Sequence, residues 1–204
     1  MAADLQKWIA EFESEWADKP IEYLHEPGDW REDSDPLFSS ISSAIQHRNC
    51  EISIDELLKI SQWKMQGSRN DDNIKGNAEK DVDVEKQCQY ALTDVEGKES
   101  IEALTDLSGI GVPMASTVLT VAKPEEYAII DYRAFRGLAG ALPEIVDSRD
   151  YSEYAEFLEH FRNYLTSAEA YEYYIEHVRK IAEQEDISAR QVDMALWAFD
   201  KEKS

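Results

Sequence analysis

The chain has few of the residues that hold disulfide frameworks and metal sites. Its two cysteines, Cys50 and Cys88, stand far apart and in no C-x-x-C spacing. Its four histidines form no H-x-x-x-H pair. We therefore expect no metal site, and so few cysteines are typical of a reducing compartment.

Long hydrophobic runs are absent as well. No apolar run approaches the roughly 20 residues that a membrane span needs. The first residues combine helical apolar spacing with many acidic side chains, unlike a signal or transit peptide. These absences predict a cytoplasmic protein with no membrane partner.

Positive charge is scarce, and this bears directly on possible partners. Lys and Arg number 21 against 43 Asp and Glu, a formal net charge of −22. Because phosphate binding depends on Lys and Arg, this balance argues against nucleic acid. However, the acid is spread evenly, as in halophilic proteins, whose salt-loaded cytoplasm shortens the Debye length to about 3 Å. In such a solvent local charge decides which partners bind.

Helical periodicity is what the chain has in abundance, and no stretch alternates long enough to predict a strand. Two capping-box patterns, SIDE at 53–56 and SARQ at 188–191, mark helix starts. The sequence predicts a compact all-α domain over 1–204, with two lobes, about 37–140 and 1–36 with 141–204. Loops are expected at 26–36, 66–77, 122–130 and 143–150. The apolar stripes are Leu5, Trp8, Ile9, Phe12 and Trp16; Tyr154, Phe157, Leu158, Phe161 and Leu165; and Tyr171, Tyr174, Ile175, Val178 and Ile181.

The stretch LSGIGVPMASTVL predicts a sharp turn between two helices, over 100–107 and 113–121. Gly109 and Gly111 can both take positive φ, and Pro113 is tolerated in a first helical turn. The free N–H groups at the start of the second helix suit a phosphate, so the pattern predicts a helix-hairpin-helix. A plain corner between two helices is the alternative.

Together with the downstream Asp131, this stretch resembles the helix-hairpin-helix/Gly-Pro-Asp (HhH-GPD) superfamily of base-excision DNA glycosylases. Asp131 follows Gly111 by twenty positions (111 to 131), after the apolar approach YAII. The resemblance is clear over about 100–140 and implies a glycosylase-like helical fold that binds double-stranded DNA. The residues that carry it are Leu107, Ser108, Gly109, Ile110, Gly111, Ala115, Asp131 and Arg136.

Departures from the family pattern narrow the implied activity. Pro113 stands where bifunctional members carry a Schiff-base lysine, which excludes lyase chemistry through that residue. The four-cysteine iron-sulfur loop is absent, and Arg133 replaces the histidine two positions beyond the aspartate. The resemblance thus implies a monofunctional glycosylase acting on a damaged or mismatched base. It implies no cofactor, with a monovalent cation on the hairpin carbonyls as the alternative.

Asp131 is the candidate catalytic residue. Cleavage of an N-glycosidic bond develops positive charge on the sugar, which a fixed carboxylate stabilises while it orients the attacking water. The alternative role is structural: Asp131 caps the helix that starts at Tyr132.

Two windows, 57–70 and 132–143, contain no Asp or Glu and are the predicted contact surfaces for a polyanion. The alternative is that the acid-free positions cluster by chance. Trp63 and Tyr132 are the candidates for the base pocket, although any tryptophan is more often part of the core. Asp193 and Trp197 are weaker pocket candidates. The candidate DNA-binding residues are Ser108, Gly109, Ile110, Gly111, Val112, Lys64, Arg69, Arg133 and Arg136.

Two other functions remain open at this stage. One is a non-catalytic module on the same fold that binds DNA or a protein. The other is an acidic surface that mimics nucleic acid for a basic partner, although evenly scattered acid lacks the regular rows that mimicry needs.

The halophilic interpretation predicts how salt acts on the protein. The thermal midpoint should rise from dilute buffer to molar KCl, because screening relieves self-repulsion. DNA affinity should fall only modestly, with a salt slope of about two to four counterions. Thermal melts and binding titrations across the salt series check both; a midpoint independent of salt would contradict the halophilic interpretation.

Overall fold

The computed structural model describes residues 5–15, 37–65, 68–142 and 151–203. All regular structure in these ranges is α-helical, which confirms the predicted all-α class. The helices are α1 (Leu5–Glu15), α2 (Leu37–Gln46), α3 (Ile54–Met65), α4 (Asp71–Glu79), α5 (Val84–Thr93), α6 (Lys98–Thr105), α7 (Val112–Ala122), α8 (Tyr132–Ala141), α9 (Tyr151–Asn163), α10 (Ala168–Glu185) and α11 (Ala189–Lys203).

Helix α7 forms the centre of the fold. It contains no charged residue and is buried along nearly its whole length, as expected of a helix that is apolar all round. Its three hydroxyls donate back to backbone carbonyls: Ser116 and Thr117 to Pro113, at 2.9 and 2.8 Å, and Thr120 to Ser116 at 2.7 Å. These bonds satisfy the hydroxyls without breaking the helix.

The remaining helices pack around α7 over one continuous apolar core. Helices α2, α3, α6 and α10 contact it directly, and α11 lies between α1 and α8. The approach of α8 to α11 is very close, because an added Cβ at Gly137 would lie 2.3 Å from the carbonyl oxygen of Leu196. The division into two lobes stays a prediction.

Both predicted capping boxes are confirmed. The N–H of Ser53 donates to Glu56 Oε2 at 2.9 Å, and the N–H of Glu56 donates to Ser53 Oγ at 3.3 Å. Ser188 and Gln191 make the same reciprocal pair at 3.0 and 3.1 Å. Local side-chain signals therefore set these helix starts correctly.

The four predicted loops have different outcomes. The segment 122–130 is confirmed as non-helical once α7 has ended at Ala122. The loop at 66–77 is wrong from Asp71 onward, because α4 begins there, while residues 68–70 are non-helical as predicted. The α4 region has weak helix formers and is held by tertiary hydrogen bonds between Gln62 and Asp71 and between Asn70 and Gly109. The loops at 26–36 and 143–150, like Trp16, lie outside the described residues.

One apolar stripe also ends earlier than its spacing indicates. Helix α9 ends at Asn163, so Leu165 lies beyond it and is 55% exposed. Tyr154, at the other end of this stripe, is exposed too.

Two glycine substitutions test the packing. Gly137→Ala should destabilise the fold by about 1–3 kcal/mol, because the new methyl group meets the backbone of Leu196. Gly76→Ala, also within a helix, meets nothing within 4 Å and should stabilise by up to about 1 kcal/mol. Urea unfolding of both variants measures the difference; equal effects would contradict the close contact.

Candidate functional site

The glycine turn, residues 106–111, joins α6 to α7. Gly109 has φ +86°, as predicted, and the N–H of Ile110 donates to the carbonyl of Leu107 at 3.1 Å. The expectation of a positive φ at Gly111 is wrong: with φ −92° and ψ 174° it is the extended N-cap of α7. One left-handed residue is therefore enough to reverse the chain.

Asparagines of the α4 region hold this turn in place, a role that the sequence analysis did not predict. Asn70 Nδ2 donates to the carbonyl of Gly109 at 2.6 Å. Asn77 donates to the carbonyl of Ser108 at 3.0 Å and accepts its N–H at 2.8 Å, while Lys80 Nζ donates to Ser108 Oγ at 2.9 Å. The side-chain amides thus replace the backbone partners that an isolated turn lacks.

These contacts decide which groups of the turn are available to a ligand. Asn70 and Asn77 already donate to the carbonyls of Gly109 and Ser108, the oxygens that a monovalent cation would use. The N–H groups of Gly111 and Val112, in contrast, have no hydrogen-bond partner among the described residues. The start of α7 therefore offers donors to an anion.

The segment Tyr127–Ile130 leads to Asp131 and is buried without being helical. Its N–H groups donate to side chains: Ile129 to Asp193 Oδ2 at 2.6 Å and Ile130 to Ser116 Oγ at 3.2 Å. Its carbonyls accept from phenols: that of Ala128 from Tyr171 at 3.3 Å and that of Ile129 from Tyr174 at 3.2 Å. Side chains of α7, α10 and α11 thus hold this segment.

Asp131 follows this segment and caps α8, as predicted. Its Oδ1 accepts the N–H of Ala134 at 2.9 Å. Its Oδ2 lies 3.6 Å from Lys64 Nζ on α3, and the side chain is 30% exposed. The cap role is therefore confirmed, and the carboxylate still reaches solvent.

Asp131 lines an open cleft of about 370 Å³. Pro113, in the first turn of α7, also lines the cleft, whereas Gly111 and Val112 are not among its lining residues. Of the predicted site residues, the cleft brings together Asp131, Tyr132 and Arg133. The other lining residues are Tyr164, Leu165 and Trp197.

Tyr164 and Leu165 were missed by the sequence analysis, and Trp197 was only a weaker candidate. Burial raises the pKa of Tyr164, and the charge of Asp131 and the neighbouring Tyr132 raise it further. Tyr164 therefore remains a neutral phenol at physiological pH and can donate its O–H in the cleft. No sequence signal marks these residues as part of a site, because the apolar spacing continues to Leu165 although α9 ends at Asn163.

Trp63 and Arg69 do not line the cleft. The ring of Trp63 lies 5.3 Å from that of Phe38 and 6.0 Å from the guanidinium of Arg190. Arg69 donates to the carbonyl of Met65 at 3.0 Å. Trp63 thus forms part of the packing between α2, α3 and α11.

The two arginines of the acid-free window 132–143 share one internal carboxylate. Arg133 Nη1 donates to Asp200 Oδ2 at 3.1 Å, and Arg136 donates to both oxygens of Asp200, with Nη2 at 2.8 Å from Oδ2. Arg136 also donates to the Tyr132 hydroxyl at 3.0 Å. The window contains no acidic residue, but the carboxylate of Asp200 on α11 lies against its two arginines.

Asp193 on α11 is only 2% exposed. It accepts from the N–H of Ile129 and from Arg190 Nη1. Burial, with a smaller effect of the charge of Asp131, raises the pKa of Asp193 to about 6. The charges of Arg190 and Lys64 and the hydrogen bond from Ile129 act in the opposite direction. The folded protein therefore holds this carboxylate in its charged form at a cost in free energy.

Neither a membrane helix nor a metal cluster is found in the described part of the chain. Within the described segments, no helix is both long enough and apolar enough to cross a membrane. No cluster of three or more His, Cys, Asp or Glu side chains in those segments is placed to hold a metal ion. Comparison with protein-family models, with curated proteins and with solved structures found no match for the chain.

The pKa of Asp193 predicts how pH acts on Asp193→Asn. Since the pKa is raised from 3.8 to about 6, the wild-type residue favours folding below pH 4, and this contribution is lost as pH rises through 6. The variant has no such loss. Its free energy of unfolding should therefore rise by about 2 kcal/mol relative to that of the wild type between pH 4 and pH 7.

Denaturant unfolding of both proteins at several pH values measures this difference, and the comparison cancels the titration of all other acids. A difference that stays constant with pH would show that Asp193 is not perturbed.

Proposed function

We propose that the protein binds DNA and hydrolyses the N-glycosidic bond of a damaged or mismatched base, with Asp131 as the essential carboxylate. One observation carries the proposal: the partly exposed carboxylate of Asp131 shares an open cleft with Pro113, at the N-terminus of α7. This arrangement combines a fixed anion with an anion-binding helix start.

The chemistry needs only the carboxylate and a water molecule. As the bond from the sugar C1′ to the base nitrogen breaks, its electron pair leaves with the base and positive charge develops on the sugar. The ionised Asp131 stabilises that charge. Water then adds its oxygen to C1′ and its proton neutralises the departing base, which leaves an abasic site and a free base.

The contacts of Asp131 suit this role. The N–H of Ala134 fixes Oδ1, so the carboxylate keeps one orientation without reorganising during the reaction. The ammonium of Lys64 lies 3.6 Å from Oδ2 and offsets part of the charge of the carboxylate. A DNA phosphate near Lys64 would draw the ammonium away and strengthen the field of Asp131 at the sugar.

DNA would be held mainly by the start of α7. The N–H groups of Gly111 and Val112 and the positive end of the helix dipole suit one phosphate. Arg133 and Arg136 reach a phosphate only in competition with Asp200. This competition favours weak binding with a shallow salt dependence.

The aromatic lining of the cleft supports a base as the ligand. Tyr132, Tyr164 and Trp197 line the cleft together with Asp131. A nucleotide turned out of the duplex would stack on such rings, and this stacking offsets the cost of unpairing.

A non-catalytic DNA-binding module is the second candidate. One observation favours it: both carboxylate oxygens of Asp131 already have partners, Oδ1 the N–H of Ala134 and Oδ2 the ammonium of Lys64. On this view Asp131 is a helix cap, and the cleft holds a nucleotide without cleaving it.

Asp131→Asn separates the two candidates, because asparagine caps a helix about as well as aspartate. Abasic-site formation on a panel of lesion duplexes in molar KCl should fall at least 100-fold in this variant. Asp83→Asn is the matched control, since Asp83 caps α5 through the same bond, to the N–H of Lys86 at 3.0 Å.

Full activity in Asp131→Asn would overturn the role of Asp131. DNA binding by both variants and the wild type, with no abasic sites on any duplex, would favour the binding module.

A further inference from the structure

We infer that Asp193 is a positioning residue, which fixes Asp131 in the cleft by holding the backbone N–H of Ile129 with a buried negative charge. This inference deepens the proposed function and rests on it for the catalytic role of Asp131. The geometric part, in which Asp193 sets the location of Asp131, concerns the folded protein alone.

The path from Asp193 to Asp131 is short. Ile129, whose N–H donates to Asp193 Oδ2 at 2.6 Å, is two residues before Asp131. The next N–H, of Ile130, is bound to Ser116. A shift at Ile129 therefore passes through a single buried residue before it reaches the carboxylate in the cleft.

Asp193 differs in kind from the other side chains that hold this segment. Ser116, Tyr171 and Tyr174 are neutral, and each makes an ordinary hydrogen bond of 3.2 to 3.3 Å to it. A bond to a carboxylate is about twice as strong as a bond between neutral groups. Asp193 is thus the strongest anchor of the segment, and it holds Ile129, two residues before Asp131.

The surroundings of Asp193 fix its own position. Its second oxygen accepts from Arg190, whose guanidinium lies over the rings of Phe12, Phe38 and Trp63 at 5.5, 4.7 and 6.0 Å. These rings leave the guanidinium little room to turn. The arginine therefore holds the carboxylate rigidly, and Trp63 acts in the site through this packing.

Arg190 and Lys64 are the cations near Asp193, and Asp131 is the other charged acid; the neutral phenols of Tyr171 and Tyr174 also lie near it. Protonation of Asp193 weakens its bonds to Ile129 and Arg190 together. The anchor should therefore loosen below pH 6, although the fold itself gains from that protonation.

Amide hydrogen exchange in the full-length protein tests the geometric part. In Asp193→Asn at pH 7.5 the protection of Ile129, Ile130 and Ala134 should fall about fivefold to tenfold, since a neutral acceptor replaces a charged one. Ala134 is the decisive reporter, because its N–H binds Asp131 Oδ1. Thr120→Val, which removes one buried hydrogen bond inside α7, should leave all three unchanged.

Loss of protection at Ile129 alone, with Ala134 unchanged, would overturn the inference, because Asp193 would then hold its own partner without positioning Asp131. Unchanged protection at all three amides would overturn it too.

The activity arm uses the pH profile of base release. The wild-type kcat should fall on the acid side with a midpoint of about 6. Asp193→Asn should lack this fall and should lower kcat at pH 8 about 10- to 100-fold, with little change in KM. Thr120→Val should keep the wild-type profile.

The exchange and activity experiments distinguish failure of the positioning role from failure of the proposed function. If no duplex yields abasic sites, the proposed function fails, while the exchange data still decide whether Asp193 positions Asp131. If base release is found and its acid limb survives Asp193→Asn, the positioning role fails and the proposed function stands.

Discussion

The site depends on one constraint: a non-helical segment, Tyr127–Ile130, is buried in a core whose described residues form helices and no strand. Buried backbone N–H and carbonyl groups must find partners, and no ladder is available to this segment. Side chains from α7, α10 and α11 supply them instead. The location of Asp131, which follows this segment and lines the cleft, is therefore set by the packing of three helices.

Charge is compensated inside the molecule more fully than the composition indicates. Asp200 binds both Arg133 and Arg136, Asp193 binds Arg190, and Asp131 lies near Lys64. With twice as many acids as bases, each cation near the cleft has a carboxylate within reach. An external phosphate must compete with these carboxylates for the cations. The N–H groups of Gly111 and Val112, which have no partner among the described residues, therefore become more important for binding a polyanion.

The sequence predicted those features that arise within a few residues. The capping boxes, the left-handed Gly109 and the cap at Asp131 each depend on bonds spanning three or four positions, and the residue types involved are specific. The walls of the site depend on distant pairs. Asn77 and Ser108 are 31 positions apart, and Arg136 and Asp200 are 64 apart. No local pattern encodes such pairs. The sequence therefore predicts a loop where the asparagines lie and cations available to DNA where the arginines lie.

Asp193 also bears on the choice between an enzyme and a binding module. A module needs Asp131 only as a cap, and a neutral acceptor at position 193 would hold Ile129 as Ser116 holds Ile130. A buried carboxylate with a raised pKa costs the fold free energy that a neutral residue would save. This cost in stability is reasonable if the buried carboxylate of Asp193 fixes the location of the Asp131 carboxylate in the cleft. The buried charge therefore weighs toward a site in which the exact location of Asp131 matters, as catalysis requires and simple binding does not.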